Sequence, residues 1–269
     1  MQQAHDFLAE SLSLAAILEP LSDADFARET LFKGWTIDDV LGHLHMFNHA
    51  AEVTLRSGDA FDAFFAPIAA EMQKGRTLVE IQEGWLDGLS GRRLFEAWRE
   101  GSESLAASYG EADPKQRVKW AGPDMSAISS ITARQMETWA HGQEVFDLLG
   151  HVREDTDRIR NIAHLGVSTY AWSFANRGED VPEPAPHIKL TAPSGAVWEW
   201  NDPQPGNRVE GTATEFCQVA AQVRNIADTS LRPTGAAATR WMEIAQCFAG
   251  SPEDPPAPGV RHISTPSKD

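Results

Sequence analysis

The sequence predicts a mainly α-helical protein, a four-helix bundle followed by a small α+β domain. Two observations predict it. Up to about residue 176, apolar residues recur at helical intervals in long segments with shorter ones between them. After a break rich in Gly, Pro and charge, residues 187–201 switch to the two-residue alternation of strands.

The elements follow in order. Ala4 to Leu21 sets Phe7, Leu8, Leu12, Leu14, Ala15 and Leu18 at helical spacing. Thr36 and Asp39 form a capping-box pattern that opens a helix to about Arg56, where Ser57 and Gly58 stop it. Shorter helical stretches lie around Phe64–Met72 and Leu78–Leu86. Gly91 leads into a longer one with Leu94, Trp98, Leu105 and Tyr109 as its apolar residues. Ser126 caps a long helix to Leu149, closed by Gly150. Asp155 or Thr156 starts another, through Ile159, Ile162, Ala163, Val167 and Tyr170. Long antiparallel helices with short insertions make a bundle the economical architecture for residues 1–176.

Residues 177–186 read as a linker. In the second domain, residues 187–250, His187–Ala192 and Ala196–Asn201 form a strand pair around the turn Pro193-Ser194-Gly195. Arg208–Gly211 adds a third strand, and helices follow over Ala213–Asn225 and Ala236–Phe248. Residues 251–269 have the Pro, Ser and charge content of a disordered tail.

Composition narrows the function. A net charge of −16 argues against nucleic acid or an anionic membrane as partner. No apolar run reaches membrane-spanning length, and the N-terminus lacks the basic and apolar regions of a secretory signal. Cys217 and Cys247 have no CxxC spacing and read as buried thiols in a reducing compartment. The expectation is a cytoplasmic protein with a small-molecule substrate.

Glu137 and His141 stand four residues apart in a helical segment, so one face presents a carboxylate and an imidazole together. A His from another helix would complete a set that suits zinc or a neighbouring transition metal and leaves a coordination position open. The second helix offers His43, His45 and His49. His43 falls on the flank of the stripe Val40, Leu44, Phe47, Ala51 and Leu55, whereas His45 and His49 fall near the opposite, solvent side. On the later helix the same test sets Glu137, His141, Glu144, Arg134 and Ser130 opposite the apolar residues. That pattern fits a solvated face and a polar cavity between helices equally well, and periodicity does not separate them.

Residues 33–44, KGWTIDDVLGHL, resemble the G-W-T/S-x₃-V/L-x₂-H-L signature of the DinB/YfiT-like metalloprotein superfamily, and more closely the N-terminal domain of mycothiol-dependent maleylpyruvate isomerases. Residues 136–145, METWAHGQEV, resemble the E-x-x-x-H metal segment of the same family. Trp120–Ser126, Glu137–Gln143 and Thr191–Gly195 resemble stretches shared by a metal-binding branch of it. The resemblance implies a bundle that holds a divalent metal through His43, Glu137 and His141, zinc first, with nickel, iron or manganese as alternatives. Glu137 sets the chain apart from relatives with three histidines. The resemblance also implies a sterol-carrier-like second domain, a low-molecular-weight thiol and a homodimer. It implies an Arg facing the metal, for which Arg224 is the positional match.

The resulting expectation is a metal-dependent, thiol-using transferase or isomerase acting on a small electrophilic or carboxylate substrate. Arg224 would bind that substrate and Glu144 would act as base or orient a ligand. His164, among apolar neighbours, reads as a core histidine, and Trp35 and Trp139 as packing anchors. The alternatives are a non-catalytic metal- and ligand-binding protein, and a bundle that packs without metal.

Overall fold

The computed structural model describes residues 1–264, which fall into two compact units, the second beginning at Leu149. The first unit is helical: α1 (Gln2–Leu18), α2 (Ile37–Arg56), α3 (Gly58–Gln73), α4 (Leu78–Leu86), α5 (Gly91–Glu111) and α6 (Ala127–Leu149). Thr36 caps α2 as its sequence predicts, accepting from the Asp39 amide at 3.1 Å while Asp39 accepts from the Thr36 amide at 2.8 Å. Gly150 ends α6 in the left-handed conformation, φ +72°.

The core joins α1, α2, α5 and α6. Ala4 and Phe7, Ala51, Leu105 and Tyr109, and Ala127 and Ile131 form one buried cluster across the four. Tyr109 ties three of them, its hydroxyl donating to Ala51 O at 3.1 Å and pairing with Ser130 Oγ at 2.9 Å. Burial pushes that phenol up to about 12. The helices α3 and α4 pack on α2 and on each other. Gly42 permits this approach, since a Cβ there would stand 2.8 Å from Leu86 Cδ1. A two-stranded ribbon, β1 (Arg117–Val118) with β2 (Met125–Ser126), precedes α6 and was not expected from sequence.

The second unit contains α7 (Arg160–Ser168), α8 (Tyr170–Ala175), β3 (His187–Thr191), β4 (Val197–Trp200), β5 (Arg208–Thr212), α9 (Ala213–Ala220), β6 (Arg232–Thr234) and α10 (Ala236–Ile244). Its sheet runs β4-β3-β5-β6, with β3 and β5 parallel and the outer pairs antiparallel. Burial alternates along β3, with Ile188 and Leu190 inside and Lys189 and Thr191 outside, and α9 packs against β3 and β5. Both predicted helices end early, α9 at Ala220 and α10 at Ile244. Gln222, at φ +55°, breaks the first. Residues 251–264 form no helix or strand, yet they are tied to the unit. Asn225 Nδ2 donates to Pro256 O at 2.8 Å, and Arg261 Nη1 donates to Gln222 O at 2.7 Å. The remaining residues of the expected tail, 265–269, lie outside the described residues.

Candidate metal centre

The G-W-T sequence has a mechanical explanation. Lys33 and Gly34 both adopt positive φ, 53° and 71°, and the Trp35 amide donates to Phe32 O at 2.9 Å. This is a primed turn, which needs left-handed backbone at both central residues. Around it the Thr30 amide donates to Trp35 O at 2.7 Å and Glu29 bridges Thr36. The hairpin therefore delivers Phe32 and Trp35 immediately before the α2 cap. Both meet His141: Trp35 stacks parallel to it at 5.6 Å and 3°, and Phe32 meets it edge-on at 5.1 Å.

Nearly two turns into α2, His43 turns toward α6. Its Nε2 lies 3.4 Å from Glu137 Oε2, and His141 Nε2 lies 3.3 Å from the same oxygen. One donor atom from each of the three residues lies within 4.8 Å of the others, and they are the one such group of His, Cys, Asp or Glu among the described residues. Donors about 2.0–2.2 Å from a tetrahedral ion stand roughly 3.3–3.5 Å apart, so the two spacings to Glu137 match that edge. A divalent cation fits this donor set.

The electrostatics agree with the donor chemistry. Burial holds His43 down to about 4, leaving a neutral imidazole with a lone pair to give. Burial alone would raise the Glu137 carboxyl, but hydrogen bonds from His141 and His43 outweigh it and hold the group well below its usual range. His43 Nδ1 is buried without a hydrogen-bond partner. Its ring is set instead by aromatic contacts, Phe47 at 4.7 Å and Trp35 at 5.5 Å.

Other expected residues fall elsewhere. His49 is exposed, as its angle on α2 predicts, but His45 is half-buried because Trp85 of α4 covers it at 5.4 Å. His164 is exposed rather than in the core, its Nδ1 accepting from Trp200 Nε1 at 3.2 Å. Glu144 is buried on α6 outside the three-residue group. Arg224 is buried in the second unit, its Nη1 donating to Val223 O at 2.8 Å. The face of α6 that periodicity leaves open to solvent is inside: Ser130, Arg134 and Glu144 are all buried. Arg134, like Ser130, is a residue of this face that sequence reasoning gave no role. Its position three residues before Glu137 was the available signal.

Residues 7–146 match the family model described as the mycothiol maleylpyruvate isomerase N-terminal domain. Uncharacterized protein Rv0036c of Mycobacterium tuberculosis H37Rv and its counterpart MT0041 in strain CDC 1551 are each 36% identical to this chain over 247 residues, 92% of it and 95% of theirs. Among solved structures, the mycothiol-dependent maleylpyruvate isomerase and a histidine-to-alanine mutant of it superpose with TM-scores of 0.52 and 0.54, at 16% identity over 82% of this chain and 88% of theirs. At that identity the likeness speaks for the fold, mainly helical with a small α+β part.

Proposed function

This chain belongs to the mycothiol maleylpyruvate isomerase N-terminal domain family, and on that premise we propose that it binds a divalent metal and uses a low-molecular-weight thiol to isomerise or transfer onto a small electrophilic or carboxylate substrate. The observation that carries the reading is the meeting of His43, Glu137 and His141 around one carboxylate oxygen. Zinc is the first expectation for two imidazoles and one carboxylate, and mycothiol, named for the structural relatives, is the first thiol to test.

In this reading His43 and His141 give neutral nitrogen donors, and Glu137 gives one negative charge that leaves a bound dication net positive. A cation held there supplies Lewis acidity and lowers the pKa of a thiol or water at its open position. Trp35, Phe32 and Phe47 wall the imidazoles with aromatic rings, which keeps the ligand set in place and limits water around it. Glu144 is offered as a base or an orienting group, and Arg224 as a substrate contact.

Elemental analysis of protein purified without a metal-affinity tag tests the first half. One equivalent of metal in the wild type and little in His43→Ala is the expected result. Thiol-dependent consumption of maleylpyruvate or another small unsaturated acid tests the second. Stoichiometric metal with no thiol-dependent turnover, and no exchangeable water on the metal, would favour the non-catalytic binding protein instead.

A further inference from the structure

We propose that Arg134 is the carboxylate-binding residue of the candidate centre, holding the acid group of a substrate or thiol about one helical turn from the metal ligands. The inference rests on the metal reading above. Arg134, Glu137 and His141 stand at i, i+3 and i+7 of α6 and so share one stripe of that helix. Three residues advance roughly 4.5 Å along the axis, a span that a molecule of a few carbon atoms bridges.

The guanidinium is held on one edge and unfilled on the other. Its Nε donates to Asn48 Oδ1 at 3.0 Å, Asn48 Nδ2 donates to Ser102 Oγ at 3.2 Å, and Ser102 Oγ donates to Trp98 O at 2.8 Å. That relay crosses from α6 through α2 to α5 and fixes the head group. Nη2, by contrast, is buried with no hydrogen-bond partner, in a side chain only 2% exposed. Among the described residues no carboxylate reaches ion-pair distance of it. A buried charged donor left unfilled is costly, and pinning α6 to α2 needs only the Nε bond. The free edge calls for an anion, and a guanidinium edge matches the two oxygens of a carboxylate.

Two observations direct that edge to the centre. Phe47 packs against His43 at 4.7 Å and lies under the Arg134 guanidinium at 5.9 Å, so both groups border one ring. On α6, Arg134 also stands one turn before Glu137, on the stripe that carries both of that helix's donors. Shielding from water strengthens an ion pair formed there, since solvent does not screen it. A ligand with a thiol for the metal and a carboxylate for Arg134 engages both ends at once.

The test uses full-length protein loaded with cobalt(II) and two matched probes, 3-mercaptopropionate and 3-mercapto-1-propanol. Binding is read from the cobalt–thiolate absorption. The wild type is expected to prefer the acid about tenfold or more, the worth of one charge-assisted hydrogen bond. Arg134→Met should bring the ratio near one with the alcohol bound as before. Arg134→Gln, which keeps an amide to meet Asn48, should do the same, and Arg134→Lys should retain part of the preference. A ratio preserved in either folded neutral variant overturns the assignment. A wild type that binds cobalt but shows no preference overturns Arg134 and spares the metal. A wild type that binds no cobalt overturns both.

Discussion

Helix α2 carries histidines on two of its faces, and the two faces meet different chemistry. His43 turns to α6 and finds a carboxylate and a second imidazole, Glu137 and His141. His45 and His49 turn to α3 and α4 and find Trp85 and Phe64. Both faces show imidazoles beside aromatic rings, and burial lowers the pKa of both His43 and His45 to about 4. Neither burial nor a shifted pKa separates the candidate ligand from a packed histidine here. The facing helix separates them, by supplying Glu137 on one side and none of the metal-ligating groups that would complete a set on the other.

The largest expected effect breaks the comparison outright. Glu137→Ala or His43→Ala should weaken metal binding by more than about 100-fold, above the usual cost of losing a supporting contact. His45→Ala and His49→Ala should leave it unchanged. Isothermal titration of metal into each apoprotein reads both, and loss of binding in His45→Ala would erase the distinction. Metal removal sharpens the same contrast through stability. At free metal 100 times its dissociation constant, binding adds about 2.7 kcal/mol to the wild type. Chelation should therefore lower the melting temperature of the wild type and of His49→Ala, and not that of His43→Ala.

On the aromatic side, Trp85→Ala should cost roughly 2 kcal/mol, below the range for a fully buried aromatic because Trp85 is half-buried, and metal affinity should not follow. A denaturant melt with a parallel metal titration checks this. On the ligand side, Gly34→Ala forces a left-handed Ala into the turn that carries Trp35, at about 1–2 kcal/mol. The same pair of measurements should show both stability and metal affinity falling. The smallest effect is Thr36→Ala, which removes the α2 cap for about 1 kcal/mol, read by the melt alone.

Much of the bundle was legible because its signals are local. The capping box of Thr36 and Asp39, the stop at Ser57 and the close at Gly150 each act within one turn of chain. The strands of the second unit were legible in the alternation of Ile188 and Leu190 with Lys189 and Thr191. The short pairs β1–β2 and β6 were not, because two or three residues cannot establish a period. The α6 helix was read only in part. Its apolar residues fix one face, but a polar face looks the same in sequence whether water or another helix covers it.

The sequence by itself therefore determined where α2 and α6 begin and end, and which residue types each can offer. Through a resemblance it also named His43, Glu137 and His141 as a set. Only the tertiary structure decided that the polar stripe of α6 is buried, that His43 and not His45 meets it, and that Arg134 keeps a donor edge unfilled beside it. The reason is physical: capping and periodicity are properties of adjacent residues, whereas burial of a polar face depends on groups some ninety positions away.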